Sequence, residues 1–202
     1  MIGFSPWLMV VSSKLPFQTV GELVAYGKAN PGKLTFASWT ATCEVGRKAF
    51  TLRSGVELLP VPYAGSVAAM TDLVAGRASM ALLDISAALP FIQSGDVRPL
   101  AMTSPQRTAL LPKVPSIAEA GIQNYDVTSW VILFAPNGTP ADIVAKLNKE
   151  TVAALKQPEV QKRFAELGAE ILEWDTGKVK AFVAAQNEKW AAMVKETGST
   201  PK

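Results

Sequence analysis

Between residues 34 and 103 short apolar, β-prone runs alternate with helical patterns, and that alternation leaves the chain few folds to choose from. Leu34 to Ser38, Val56 to Val61, Ser79 to Leu83 and Arg98 to Thr103 read as strands. Between them lie helical patterns at Glu44 to Arg53, Ser66 to Ala75 and Ser86 to Gln93; the second carries Val67, Met70, Leu73 and Val74, and Ser54-Gly55, Gly76 and Gly95 stop the three in turn. Strands joined by helices of this length connect in parallel crossovers, so the pattern predicts an α/β sheet with helices on its faces.

The flanks extend the pattern. Trp7 to Val11 is a short apolar run bounded by turn residues, as a two-sided core strand is. Thr19 is placed to cap a helix running to Ala29, with Glu22 completing a capping box, and Asn30-Pro31-Gly32 ends it. From Ser104 to Asp126 the chain becomes a loop punctuated by Pro105, Pro112 and Pro115, with one short helix expected over Ile117 to Ala120. Val127 to Ala135 reads as a strand. Thr139 can cap a helix that starts at Pro140 and runs to Leu155, with Ile143, Val144, Leu147 and Val152 expected on its buried face. Pro158 to Leu167 is a shorter helix, Ile171 to Trp174 a small strand, and Gly177 to Lys195 a final helix. Trp130, Phe134, Trp174, Phe182 and Trp190 fall on apolar faces and are expected in the core.

Composition closes off most chemistry. The 202 residues include no histidine and one cysteine, Cys43. That excludes Ser-His-Asp and Cys-His arrangements, histidine-type zinc sites and any internal disulfide, so neither metal nor cofactor is expected. Cys43 lacks its usual base and is not read as a nucleophile. A net charge of +3 gives no sign of a nucleic-acid partner. Met1 to Val11 has no basic lead and no cleavage site, contains Pro6, and is too short to span a membrane, which takes about 20 apolar residues. The chain is read as carrying no signal peptide and, since it opens in mid-core, as part of a longer parent.

An ordered series of segments carries a resemblance. It runs from Asn30-Pro31-Gly32-Lys33-Leu34-Thr35-Phe36-Ala37-Ser38 through Val61-Pro62-Tyr63-Ala64-Gly65-Ser66 and Asp72-Leu73-Val74-Ala75-Gly76 to Leu89-Pro90. Arg98-Pro99-Leu100-Ala101-Met102-Thr103-Ser104, Val114-Pro115-Ser116-Ile117-Ala118-Glu119-Ala120-Gly121, Ser129-Trp130 and Phe134-Ala135-Pro136-Asn137-Gly138-Thr139-Pro140 complete it. The set resembles the Bug family, the extracytoplasmic solute receptors of tripartite tricarboxylate transporters. The resemblance implies a periplasmic-binding-protein-like α/β fold with one nearly complete parallel-sheet lobe, residues 12–126, and the C-terminal part of a second, residues 127–202. Residues 1–11 would be a strand crossing from the first lobe, and the family's N-terminal third would have no counterpart. It also implies a periplasmic, non-enzymatic receptor that binds a small carboxylate and hands it to membrane permease subunits.

A carboxylate needs donors, and helix N-terminal amides with nearby hydroxyls supply them. Ser38, Thr40 and Thr42 lie between a strand end and a helix start, so they either face an anion or cap the next helix. Tyr63, Gly65 and Ser66 form the second such loop: Gly65 allows close backbone approach, Ser66 offers an N-cap hydroxyl, and Tyr63 can wall a pocket or donate from its phenol. Asp84, at the end of a strand, either accepts from a ligand or caps a helix. Trp39 is placed beside the carboxylate loop and bears on ligand size; with Cys43, Glu44 and Arg47 it departs from the family pattern. Two other readings compete: a receptor remnant that folds without binding, and the effector-sensing domain of a regulator. A mean hydropathy of +0.18 adds the expectation of self-association through the C-terminal segment.

Overall fold

The structure, a computed structural model, describes residues 2–199. It comprises β1 (Gly3–Ser12), α1 (Val20–Ala29), β2 (Thr35–Ser38), α2 (Ala41–Ser54), β3 (Leu59–Pro62), α3 (Ser66–Ala75), β4 (Met80–Asp84), α4 (Ile85–Gln93), β5 (Val97–Met102), β6 (Thr128–Val131), α5 (Ala141–Leu155), α6 (Pro158–Glu166), β7 (Glu170–Ile171) and α7 (Thr176–Glu196). The chain divides into two compact units: Met1–Ser5 with Ser129–Ala192, and Pro6–Thr128 with Met193–Lys202.

The larger unit holds the expected α/β sheet, in the order β3-β2-β4-β1-β5. β2 runs parallel to β3 and to β4. β1, however, pairs antiparallel with both β4 and β5, so the sheet is mixed around a parallel core. β1 enters beside the end of β4, with Trp7 opposite Asp84, and can only run back against it. Leu8, Met9, Val10 and Val11 have no exposed surface, because β1 is flanked by strands on both edges and covered on both faces. Full burial of such a side chain is worth about 1.5–3 kcal/mol, so these four residues of β1 contribute strongly to the sheet.

Local sequence sets the helix ends. Thr19 Oγ1 accepts from the Glu22 amide at 3.1 Å while the Glu22 carboxylate accepts from Gln18 N at 2.6 Å. Gly55 and Gly76 take the left-handed conformation that closes α2 and α3. The helix expected over Ile117 to Ala120 is instead a series of turns, because this segment's backbone is partly used by β5: Ile117 N donates to Met102 O at 2.8 Å and Met102 N to Pro115 O at 2.8 Å. The end of α7 belongs to this unit, where Glu196 pairs with Arg53 at 2.9 Å.

In the smaller unit β7 pairs with Gly3 and Phe4 of β1, and Ile2 N donates to Val131 O at 2.8 Å. β6 stops at Val131, short of the expected Ala135, and β7 is two residues rather than four. Phe182 lies edge-on to Phe4, Trp130 and Trp174 at 5.5, 5.9 and 5.2 Å. These aromatics do pack together, but Phe134 is exposed. Pro140 sits at the N-cap of α5, and Thr139 donates its hydroxyl to Pro136 O instead of capping. The expected buried face of α5 is only partly so: Val144 and Val152 are half-buried, whereas Ile143 and Leu147 are 47% and 54% exposed. Both sides of the helix carry aliphatic residues, and only the side bearing Leu155 is covered among the described residues.

Candidate functional site

Three parallel strands of the larger unit end at one edge of the sheet, and each is followed at once by a helix. β2 ends at Ser38 before α2, β3 at Pro62 before α3, and β4 at Asp84 before α4. Three helix N-termini therefore converge on one edge, each equivalent to about half a positive charge. The two loops named from sequence are joined there, since Tyr63 N donates to Ser38 O at 2.8 Å.

Register sorts the side chains between the two faces. Phe36 is level with Met80 and Ala37 with Ala81, so Ser38 falls on the same face as Leu82 and Asp84. Trp7, opposite Asp84, shares that face, and a Cβ on Gly46 would lie 2.7 Å from Leu82 Cδ1, which identifies it as the face under α2. Trp39 and Tyr63 go to the other face, packed on the cluster of Leu8, Leu83, Met70 and Leu73 beneath α3 and α4. The sequence-named residues thus form two walls on opposite faces, joined only at the strand ends.

On the α2 wall Thr40 is the N-cap; its Oγ1 accepts from Cys43 N at 3.2 Å and donates to Cys43 Sγ at 3.2 Å. Its oxygen is committed to the helix. The hydroxyls of Ser38 and Thr42 make no hydrogen bond among the described residues. Cys43 is buried, and burial is the main cause pushing its thiol pKa up, with the Asp84 charge adding to it and the Thr40 hydroxyl opposing. A buried thiol held protonated in this way is a poor nucleophile. Asp84 occupies the N-cap of α4 but makes no capping bond with its side chain, so the helix-capping alternative is not realised.

On the other wall the expected N-cap role of Ser66 is corrected. Gly65 is the N-cap, in extended backbone, and Ser66 is the first helical residue. No side chain caps α3, so its first-turn amides remain available, and a Cβ on Gly65 would meet nothing within 4 Å. A side chain there would fill the space over those amides. The Ser66 hydroxyl is without a hydrogen bond among the described residues. Of the two roles open to Tyr63, the phenol is taken up within the fold, donating to Asp72 Oδ2 at 2.8 Å while Asp72 receives Arg77 Nε at 2.9 Å, which leaves the ring to wall a pocket. The Arg77 guanidinium and this phenol hold the Asp72 carboxyl below its usual range.

Trp7 was missed. Its Nε1 is buried and has no hydrogen-bond partner among the described residues, on the same face as Ser38 and Asp84. In the sequence it is only one residue of an apolar run, and nothing short of strand register brings it here. A cleft of about 780 Å³ lies elsewhere, lined by Thr19, Arg98, Lys113 and Glu119. Its polar groups serve the fold: Arg98 donates to Phe17 O at 2.7 Å and Glu119 pairs with Arg107 at 2.9 Å. Among the described residues no cluster of His, Cys, Asp and Glu could hold a metal, and no helix is long and apolar enough to cross a membrane.

Helix N-termini at the carboxyl edge of an α/β sheet stand where ligands of such folds commonly bind. The chain belongs to the tripartite tricarboxylate transporter family of receptors, whose sequence model matches residues 1–199. The family is one of solute receptors and not of enzymes. BugT of Bordetella pertussis is 32% identical over 204 residues, covering 100% of this chain and 63% of its own length. Rpa4515 of R. palustris, solved with adipate, has a TM-score of 0.87 at 32% identity, over 98% of this chain and 67% of that one. The periplasmic binding protein BugD has a TM-score of 0.85 at 30% identity, over 100% and 69%. The chain therefore spans less than two thirds of the BugT length.

Proposed function

We propose that this chain is the solute-binding component of a tripartite tricarboxylate-type transporter, acting in the periplasm, where it captures a small carboxylate and presents it to membrane permease subunits. One observation carries the reading: three helix N-termini meet at one sheet edge, where Ser38, Thr42 and Ser66 hold hydroxyls without hydrogen bonds among the described residues. Ser38 and Thr42 with the α2 amides that Thr40 caps, and Gly65 and Ser66 with those of α3, form the carboxylate cradle. Trp39 and Tyr63 wall it, and Asp84 accepts from a ligand donor. In this reading the larger unit is the ligand-binding lobe, and the smaller belongs to the other lobe of the family fold. The adipate bound by Rpa4515 supports a carboxylate ligand here.

The test is a thermal-shift screen against mono-, di- and tricarboxylates, since a ligand that binds only the folded state raises its apparent stability. A selective rise, lost when Ser38 and Ser66 are both replaced by alanine, is the expected result. The absence of any shift from a folded protein would replace this reading with that of a non-binding remnant. The uncovered Ile143 and Leu147 favour that second reading, and they are also where self-association would occur.

A further inference from the structure

We propose that Asn137 is a site of spontaneous covalent modification: in the folded protein it deamidates through a cyclic imide formed with the Gly138 amide, so that the chain ages into aspartyl and isoaspartyl forms at this one position.

The reaction needs a backbone nitrogen that can reach the side-chain carbonyl carbon of the residue before it. A side chain on the following residue blocks that approach, and glycine has none. Of Asn30, Asn124, Asn137, Asn148 and Asn187, Asn137 alone precedes a glycine. Asn30 precedes Pro31, whose nitrogen carries no hydrogen, and its own amide donates to Tyr26 O at 3.0 Å. Asn124 precedes the buried Tyr125. Asn148 and Asn187 lie inside α5 and α7, where the next amide belongs to the helix ladder, and Asn148 also donates to Trp174 O at 3.2 Å.

The surroundings of Asn137 leave both reacting groups unengaged. It is the second residue of a turn over Pro136 to Thr139, closed by Thr139 N donating to Pro136 O at 3.3 Å and Thr139 Oγ1 donating to the same oxygen at 2.8 Å. Gly138, the third residue, has a φ of 85°, the left-handed conformation that such a turn takes at this position. Asn137 and Gly138 are both exposed, and a Cβ on Gly138 would meet nothing within 4 Å. Among the described residues neither the Asn137 side chain nor the Gly138 N–H makes a hydrogen bond. An exposed loop tip of this kind turns into the ring-closing geometry without disturbing any packed element.

The step uses water and hydroxide, and nothing is oxidised or reduced. Hydroxide takes the Gly138 amide proton, and the nitrogen attacks Asn137 Cγ. A Cγ–N bond forms, the Cγ–Nδ2 bond breaks, and the side-chain nitrogen leaves as ammonia after taking a proton from water, which restores the hydroxide. Water then opens the five-membered imide. Cleavage of the new Cγ–N bond leaves an aspartate, and cleavage of the original backbone C–N bond leaves an isoaspartate. Either product adds one negative charge. The isoaspartate also routes the main chain through the side-chain methylene, so the turn from Pro136 to Thr139 cannot close in the same form.

The experiment is incubation of the full chain at 37 °C at pH 7.5 and pH 8.5, followed by intact mass, peptide mapping and labelling with an isoaspartyl methyltransferase. The tryptic peptide 114–146, which holds both Asn124 and Asn137, is the unfolded reference. The expected result is a gain of one dalton that is faster at the higher pH, maps to residue 137, includes isoaspartate and proceeds within about tenfold of its rate in the peptide, as an exposed loop tip allows. Asn137→Gln, an exposed substitution that would require a less favourable six-membered ring, should abolish the gain. No gain in mass, a gain mapped to another residue, a gain that persists in Asn137→Gln, or a rate at Asn137 slower than the peptide by more than that margin would each overturn the proposal. None of these results bears on carboxylate binding.

Discussion

Gly46 lies in α2 where the helix crosses the sheet, and replacing it with alanine sets two known effects against each other. In an exposed helix interior the change would stabilise by about 1 kcal/mol, the difference in helix propensity. Here the added methyl would sit 2.7 Å from Leu82 Cδ1 and 3.2 Å from the Tyr125 hydroxyl, with Val127 Cγ1 at 3.6 Å. Leu82 has no exposed surface and is level with Met9 of the buried strand β1, so it has nowhere to retreat. Overpacking of this kind typically costs about 1–3 kcal/mol. The clash outweighs the propensity gain, leaving a net loss of about 1 kcal/mol, or about 2–4 °C in midpoint for a chain of this size. Calorimetry and urea titration of wild type and Gly46→Ala measure it directly. The same displacement lifts the N-terminal turn of α2, so carboxylate affinity should fall together with stability. A Gly46→Ala protein as stable as wild type, or more so, would refute the claim that α2 is held against the sheet by the absence of a side chain at this position.

Thr40→Ala removes the N-cap that holds Cys43 N, and should destabilise by about 1 kcal/mol in urea titration. Tyr63→Phe should leave carboxylate affinity unchanged in calorimetric titration, because the hydroxyl it removes is bonded to Asp72. Cys43 should resist Ellman's reagent in the folded protein and react on unfolding. Its pKa is raised by burial above an ordinary value of 9.0, and the buried Tyr125 phenol is raised likewise from 10.0. The folded state thus keeps protons that the unfolded state releases, so stability holds below about pH 9 and declines as pH rises beyond it. Chemical denaturation at pH 8 and pH 10.5 checks this, and Cys43→Ala should weaken the dependence.

The fold was most legible where punctuation is local. Gly65 and Gly76 bracket α3, and its residues 66–75 can be read directly from the sequence. The capping pair Thr19 and Glu22 announced α1 in the same way. The direction of β1 was not legible, because an apolar run such as Trp7 to Val11 reads identically whichever way it runs between its partners. The exposure of Ile143 and Leu147 was hidden too, since a helix with aliphatic residues on two sides does not declare which side is covered. At the proposed site, the loops are named by residue type, but their division between two faces depends on the register of β2 with β4. That register separates Trp39 and Tyr63 from Ser38 and Asp84, and it also brings in Trp7. Between the two roles left open for Tyr63, the phenol's partner could not be read, because Asp72 lies on the second turn of the next helix.

β1 has a consequence for how the protein is made and degraded. β1 takes a central place, between β4 and β5, whose residues are synthesised roughly seventy to ninety positions after its own. Until they arrive it has no partner on either edge, so the sheet cannot grow outward in the order of synthesis. β4 and β5 are neighbours in sequence, joined by α4, yet without β1 they have no strand between them. Cleavage that removed β1 would therefore not trim the sheet but part it, baring two strand edges of the kind on which aggregation starts. Proteolytic sensitivity within β1 is an early sign of failure for the whole larger unit, and resistance there reports that the strand is in place.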